Sequence, residues 1–190
     1  MGERASENKF ISSVDVKRLG RTEYYKLLGK AKGGEIIRIR RGVYARAEQL
    51  VGNMVDIEAL IPGGILCLFS AWSIHGLTTS LAQVYHVAIK RGRNIVLPSH
   101  PAIELHHYSS SIFDVGAVNM EVNGFNVRVY NTERCVCDAV RFRNKVGMDV
   151  CSEVIDSYLL KPDRNLPLLS DYARLLRISS VLRRYLEIKL

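Results

Sequence analysis

The chain has 190 residues, 47% hydrophobic and 24% charged, with a formal net charge of +8 at neutral pH. That is enough apolar residue for one good-sized core, or for a small module beside a larger one. No apolar run approaches the ~20 residues of a membrane span, and Met1-Gly2-Glu3-Arg4-Ala5-Ser6-Glu7 lacks the apolar core of a signal peptide, so a cytoplasmic protein with no membrane partner is expected.

The positive charge is unevenly placed. Residues 1–50 carry 12 Lys/Arg against 6 Asp/Glu, whereas residues 51–190 carry 15 against 13. A basic module that meets a polyanion, ahead of a nearly neutral body, follows from that asymmetry. The cysteines at 67, 135, 137 and 151 show neither the Cys-x-x-Cys spacing of a zinc site nor a secreted disulfide framework, and read as reduced, mostly buried thiols.

Residues 1–9 are polar, and order is expected to begin at Ile11. Ser12-Ser13-Val14-Asp15 fits a capping box, with Ile11 and Val16 spaced as the accompanying hydrophobic staple. A short helix to about Leu19 follows, ended by Gly20. Arg21-Thr22 opens a second helix, with Tyr24, Leu27, Leu28 and Ala31 on one face and Tyr25, Lys26, Gly29 and Lys30 on the other. After Gly33-Gly34, Ile37 and Ile39 alternate with Arg38 and Arg40, the period of a half-buried strand. Arg41-Gly42 marks a tight turn and Val43-Tyr44-Ala45 the return strand. Helix, glycine turn, helix and basic ribbon is the order of a winged helix-turn-helix. Arg21, Thr22, Tyr25 and Lys26 then lie where side chains reach base edges, and Lys30, Arg38, Arg40 and Arg41 where they meet phosphates.

The body begins with a helical stripe through Val55, Ala59 and Leu60, stopped by Pro62-Gly63-Gly64. Ile65-Leu66-Cys67-Leu68-Phe69 is a continuous apolar run that reads as a buried strand, after which Ser70 is expected to cap a short helix over 71–75, ended by Gly76. Residues 84–90 and 103–108 alternate as strands. Asn123-Gly124 between two alternating runs predicts a two-residue hairpin in which Val122 faces Phe125, Met120 faces Val127 and Val118 faces Val129. Asn131 then caps a helix to about Asn144 with an apolar seam of Val136, Ala139 and Val140 and a charged stripe of Arg134, Asp138, Arg141 and Lys145. Helices are predicted at about 148–160, 167–177 and 179–189, the last with Val181, Leu182, Tyr185 and Leu186 inward. The fold class is therefore α+β: a winged helix-turn-helix over 1–47, then a larger mixed α/β domain over 48–190 with a β-sheet and C-terminal helices.

Catalytic signals are weak. His75 sits in the last turn of a short helix, where the dipole favours it, with no nucleophile or carboxylate beside it in sequence. His106-His107, with His86 and His100 in the same region, invites a metal, but adjacent strand residues point to opposite faces and cannot share one ion. Glu187-Ile188-Lys189 matches half of a restriction-type nuclease site inside a helical pattern with no partner strand. Neither a glycine-rich phosphate loop nor a nucleophile elbow is present. No catalytic residue, metal or cofactor is assigned, and a non-enzymatic role is expected.

Four motifs in order carry a resemblance: Arg38-Ile39-Arg40-Arg41-Gly42-Val43-Tyr44, Ser70-Ala71 with His75-Gly76-Leu77-Thr78, Glu133-Arg134-Cys135-Val136-Cys137-Asp138, and Tyr185-Leu186-Glu187. Over about Ile11 to Leu190 the chain resembles antitoxins of the AbiEi type, from bacterial type IV toxin–antitoxin and phage abortive-infection systems. The resemblance implies a winged helix that represses its own operon at inverted repeats in duplex DNA. It also implies a C-terminal antitoxin domain, with Ser70, His75, Gly76, Glu133, Arg134 and Asp138 as its signature, that neutralises a cognate nucleotidyltransferase-like toxin encoded next door. The short first helix and Cys135 and Cys137 depart from the family pattern. A stand-alone winged-helix repressor, and a nucleic-acid-processing enzyme, are the alternatives.

Overall fold

A computed structural model describes residues 10–33, 36–40, 43–46, 57–80, 82–98, 101–122 and 124–189. The chain divides into two compact units, Met1–Val55 with Val96–Pro101, and Asp56–Ile95 with Ala102–Leu190.

In the first unit, β1 (Phe10–Ser12) runs directly into α1 (Ser13–Arg18), and α2 (Arg21–Lys32) is followed by β2 (Ile36–Arg40) and β3 (Val43–Arg46). The strands form an antiparallel sheet in the order β1-β3-β2. The two helices follow the sequence reading closely. The strand ahead of them does not appear in that reading, because three residues are too few to display a period. Between the helices, Gly20 takes φ +127°, a backbone region L side chains rarely enter, so a glycine makes this corner possible. Leu27, Ile36 and Tyr44 are buried together, with Ile11, Val16, Leu28 and Ala31 packed on them. The predicted face of α2 is therefore the one that meets the sheet. Arg38 pairs with Tyr44 and Arg40 with Val43, so a register shift falls between the two arginines, of the kind that increases local twist. The turn expected at Arg41-Gly42 lies outside the described residues, as does the stretch 47–56.

The second unit contains α3 (Ile57–Leu60), β4 (Ile65–Leu66), α4 (Leu68–Ile74), β5 (Tyr85–Lys90), β6 (Ile103–Tyr108), α5 (Ser110–Phe113), β7 (Ala117–Val122) and β8 (Phe125–Tyr130). Four helices close it: α6 (Thr132–Val146), α7 (Met148–Leu159), α8 (Leu166–Leu175) and α9 (Ser179–Lys189). The mixed five-stranded sheet has the order β6-β5-β4-β8-β7, parallel at β5/β6 and β4/β8 and antiparallel at β4/β5 and β7/β8. The hairpin register is the predicted one, with Val122 opposite Phe125, Met120 opposite Val127 and Val118 opposite Val129.

Two expectations are corrected. The apolar run 65–69 is not one strand: β4 has two residues, and the chain turns into α4 at Leu68, with Cys67 at the N-cap. Ser70 therefore lies inside the helix and does not cap it. Its hydroxyl instead accepts the backbone N–H of His86 at 2.8 Å, fastening α4 to β5. A continuous apolar run cannot by itself distinguish a buried strand from a buried helical turn, and here it contains both.

Helix α6 holds this unit together. Asn131 caps it, accepting the Arg134 backbone N–H at 3.0 Å as predicted, but residues 133–140 are all buried, charged ones included. The Arg134 side chain is 0% exposed and that of Asp138 1%, with Nε to Oδ1 at 3.1 Å. Arg134 Nη1 also donates to the carbonyls of Ile112 (2.8 Å) and Val115 (2.9 Å), and the guanidinium carbon lies 4.4 Å from the Tyr130 ring centroid. Asp138 Oδ2 accepts the Tyr108 hydroxyl at 3.2 Å. Burial pushes the Asp138 carboxyl above its ordinary range, and the Arg134 guanidinium pulls it back.

Gly116 makes room for this arginine. A Cβ there would lie 2.6 Å from Arg134 Cβ and 2.8 Å from Asn131 Oδ1, on a backbone at φ +77°. Arg134→Ala, which leaves a buried carboxylate and two carbonyls without their donor, should lower the unfolding free energy by about 3–5 kcal/mol. Gly116→Ala should cost about 1–3 kcal/mol through strain and overlap. Replacing both charges, as Arg134→Met with Asp138→Leu, should cost less than Arg134→Ala alone. Denaturant unfolding measures all three, and a loss under about 1 kcal/mol for Arg134→Ala would place the pair in contact with water.

Candidate nucleic-acid interface

The residues predicted to read DNA are the ones α2 leaves outside. Successive helical residues advance ~100° around the axis, so packing Leu27, Leu28 and Ala31 with Ile36 and Tyr44 turns positions 22, 25, 26, 29 and 30 outward and leaves 21 at the flank of the first turn. Arg21, Thr22, Tyr25, Lys26 and Lys30 are all exposed. Tyr25, 58% exposed, is a large aromatic presented to solvent rather than to the core. The helix places one acid among these cations: Glu23 Oε1 accepts Lys26 Nζ at 2.8 Å, with side chains 48% and 64% exposed. An ion pair that open to water contributes little and exchanges readily. Lys17 Nζ lies 4.7 Å from the centroid of the Tyr24 ring, so α1 also brings a cation to α2. Arg38 and Arg40 belong to β2, and Arg41 lies outside the described residues.

The six signature positions of the second unit are not gathered into one site. Ser70 fastens β5. His75 follows α4 and its Nε2 is 2.7 Å from the Tyr130 carbonyl oxygen; since a carbonyl only accepts, Nε2 carries the proton. Gly76 ends that turn at φ +63°. Glu133 is buried, where Oε1 accepts the Tyr158 hydroxyl at 3.3 Å and the Asn165 backbone N–H at 3.2 Å, joining α6 to the segment that leads into α8. Arg134 and Asp138 form the buried pair. Each of these residues has a structural task. In the charged stripe of α6, Arg141 and Lys145 are exposed while Arg134 and Asp138 are buried, so the stripe divides halfway along.

A cluster the sequence reading did not assemble lies on β5 and β6. Strand alternation separates His106 from exposed His107, as expected, but β6 pairs in parallel with β5 so that His86 faces Glu104. His86 Nδ1 and His106 Nε2 are 3.0 Å apart. Burial pushes both imidazoles down, His106 to about 4, against the pull of Glu104. The sequence reading groups His86 with His106 but not Glu104; the parallel pairing that sets Glu104 opposite His86 belongs to the sheet.

No protein-family model matches the chain, and no curated protein sequence matches it with significance. No helix among the described residues is long and apolar enough to cross a membrane.

His75 provides a pH signature. Burial lowers its pKa below the ordinary 6.5, opposed by the Tyr130 carbonyl; Lys161 lowers it further, and Glu133 and Asp163 raise it. Folding thus favours the neutral ring. Its contribution to stability is complete above the unfolded value of 6.5 and is lost as the pH falls below that toward the folded pKa. The melting temperature of the full chain should drop between pH 7.5 and 5 by less in His75→Gln, which retains a donor for Tyr130, than in the wild type. Equal drops would remove His75 as a source.

Proposed function

We propose that the protein is a DNA-binding transcriptional regulator of the AbiEi antitoxin type, its first unit a winged helix-turn-helix that grips duplex DNA with α2 and the β2–β3 ribbon. The observation that carries this reading is the pairing of a β1-β3-β2 sheet enclosing two helices with an outward α2 face of Arg21, Thr22, Tyr25, Lys26 and Lys30. A helix held by one apolar face on a small sheet leaves its opposite face free for the major groove, while an adjoining ribbon with arginines can follow the phosphates. Arg21, Thr22, Tyr25 and Lys26, in the first turns of α2, are the candidates for base contacts. Lys30, Arg38, Arg40 and Arg41 are the candidates for phosphate contacts.

The second unit has its own sheet and four closing helices, more than a DNA reader of this size needs as support. We assign it the neutralisation of a neighbouring nucleotidyltransferase-like toxin. That assignment rests on the sequence motifs shared with AbiEi-type antitoxins.

Fluorescence anisotropy with the chain's own promoter tests the DNA half. Affinity should fall steeply with salt, and alanine at Arg38, Arg40 and Arg41 together should weaken binding and reduce the slope of log K against log salt by up to about 2.7. Thr22→Ala and Tyr25→Ala should narrow the difference between promoter and random duplex more than they weaken random-duplex binding. Glu23→Gln, which removes the acid paired with Lys26, should tighten binding at low salt. Unchanged promoter binding by the triple variant overturns the ribbon assignment.

Co-expression with the adjacent gene tests the second half. The full-length triple variant should still rescue growth, because neutralisation is placed outside the DNA-binding unit. A neighbour that is harmless in the absence of this chain would leave a stand-alone repressor.

A further inference from the structure

We propose that His86, Glu104 and His106 form a binding site for a divalent first-row transition cation of the Zn2+ type. The inference is independent of the DNA-binding reading and concerns only the second unit. Residues 86 and 104 are register partners in parallel strands, and 104 and 106 are two apart on one strand, so all three side chains leave the same face of the sheet. Their ligand atoms lie within 4.8 Å of one another. The nitrogen–nitrogen separation is 3.0 Å, and the Glu104 oxygens stand 3.7 Å from His86 Nδ1 and 3.6 Å from His106 Nε2.

With no cation bound, the 3.0 Å contact is a hydrogen bond between the two rings, which a cation held by both nitrogens would replace. At 3.6–3.7 Å the carboxylate is beyond hydrogen-bond reach of either ring. Donor atoms about 2.0–2.2 Å from one cation, subtending 90–120°, are about 2.8–3.8 Å apart; the nitrogen–nitrogen separation and the distance from each ring to its nearer carboxylate oxygen, Glu104 Oε2 for His86 and Oε1 for His106, fall in that range, so a small rotation of the carboxylate would bring one oxygen to both. Two imidazole nitrogens and one carboxylate suit Zn2+ and its neighbours rather than Mg2+ or Ca2+, which take oxygen ligands.

The rings are held in place by their surroundings. The His86 ring lies 5.4 Å from Phe69 and stacks on His106 at 5.2 Å, and His106 meets the edge of Phe142 at 6.3 Å. The Ser70 hydroxyl fixes the backbone of His86. Glu104, with 59% of its side chain exposed, leaves the outward side of the cluster open to water, so three protein ligands would leave further coordination positions accessible, as in an exchangeable rather than a sealed site. A bound cation would also tie edge strand β6 to β5.

Untagged full-length protein, stripped with chelator, is titrated with Zn2+ in competition with a chromophoric chelator, and separately with Co2+ while its visible spectrum is recorded. One equivalent should bind the wild type. Glu104→Gln should bind at least about tenfold more weakly and, because Glu104 is exposed, should fold normally. His106→Gln should lose at least as much, and His107→Gln, on the opposite face of the same strand, should match the wild type. The Co2+ spectrum should show nitrogen and oxygen ligation without a thiolate-to-metal band. Absence of binding by the wild type, equal affinity in Glu104→Gln, or a thiolate band from the cysteines would each overturn the site. If His106→Gln fails to fold, Glu104→Gln against His107→Gln still decides it.

Discussion

The second unit depends on one buried cation. Arg134 lies in the middle of the fold with its guanidinium distributed between Asp138, two backbone carbonyls and the face of Tyr130. Taking such an ion pair out of water costs several kcal/mol per charge, which Coulomb attraction and hydrogen bonds only partly offset. One nitrogen, Nη2, has no hydrogen-bond partner, and the aromatic ring beside the guanidinium supplies part of the missing compensation. The arrangement is better understood as fixing position than as adding stability. The Ile112 and Val115 carbonyls belong to the end of α5 and the turn that leads into β7. An arginine bound to both therefore sets where α6 lies against the sheet edge, and only a residue without a side chain fits at Gly116.

Further buried contacts from other elements of the unit also end on α6. Trp72 Nε1 donates to the Cys135 carbonyl at 3.1 Å, which binds α4 to it. Glu133 reaches Tyr158 and Asn165 on the other side. The Glu133-Arg134-x-x-x-Asp138 spacing that supports the antitoxin resemblance thus corresponds to three buried acid and base groups in two turns, each with partners on a different neighbour. Such groups tolerate substitution poorly because removing one partner strands the other. A motif of this kind marks a scaffold, so whatever surface of this unit meets a partner is to be sought on its exposed residues.

How much of this could be read in advance depended on whether the information was local. The β7–β8 register followed from Asn123-Gly124 and two alternating runs, and the α6 cap from Asn131, because turn and cap chemistry act within four residues. The split of 65–69 into strand and helix did not follow, since every residue in it is apolar and the break depends on what packs around it. Helix α5 and β1 were too short to carry a period. Arg134 and Asp138 could be paired by their i, i+4 spacing, but their burial could not be foreseen: charges on an amphipathic helix ordinarily face solvent, and here the first half of α6 is covered all round. The His86–Glu104–His106 cluster needed knowledge of which strands are neighbours, a property of the sheet that neither strand displays alone.

The two helical ion pairs show how burial, more than partner chemistry, decides what a charge is for. Arg134 and Asp138 are sealed, so exchanging either partner would leave a charge in a low-dielectric interior, and the pair acts as a lock. Lys26 and Glu23 have nearly the same spacing on α2, yet both are open to water, and separating them costs less than about 1 kcal/mol. On the DNA-binding reading, Lys26 can therefore leave Glu23 for the DNA at little expense, and the released counterions rather than the lost pair set the affinity. On that reading Glu23 would remain beside the DNA as a fixed negative charge that weakens binding to any duplex equally. Discrimination between sequences would then fall to Thr22, Tyr25 and Arg21, whose proposed base contacts do not depend on net charge alone.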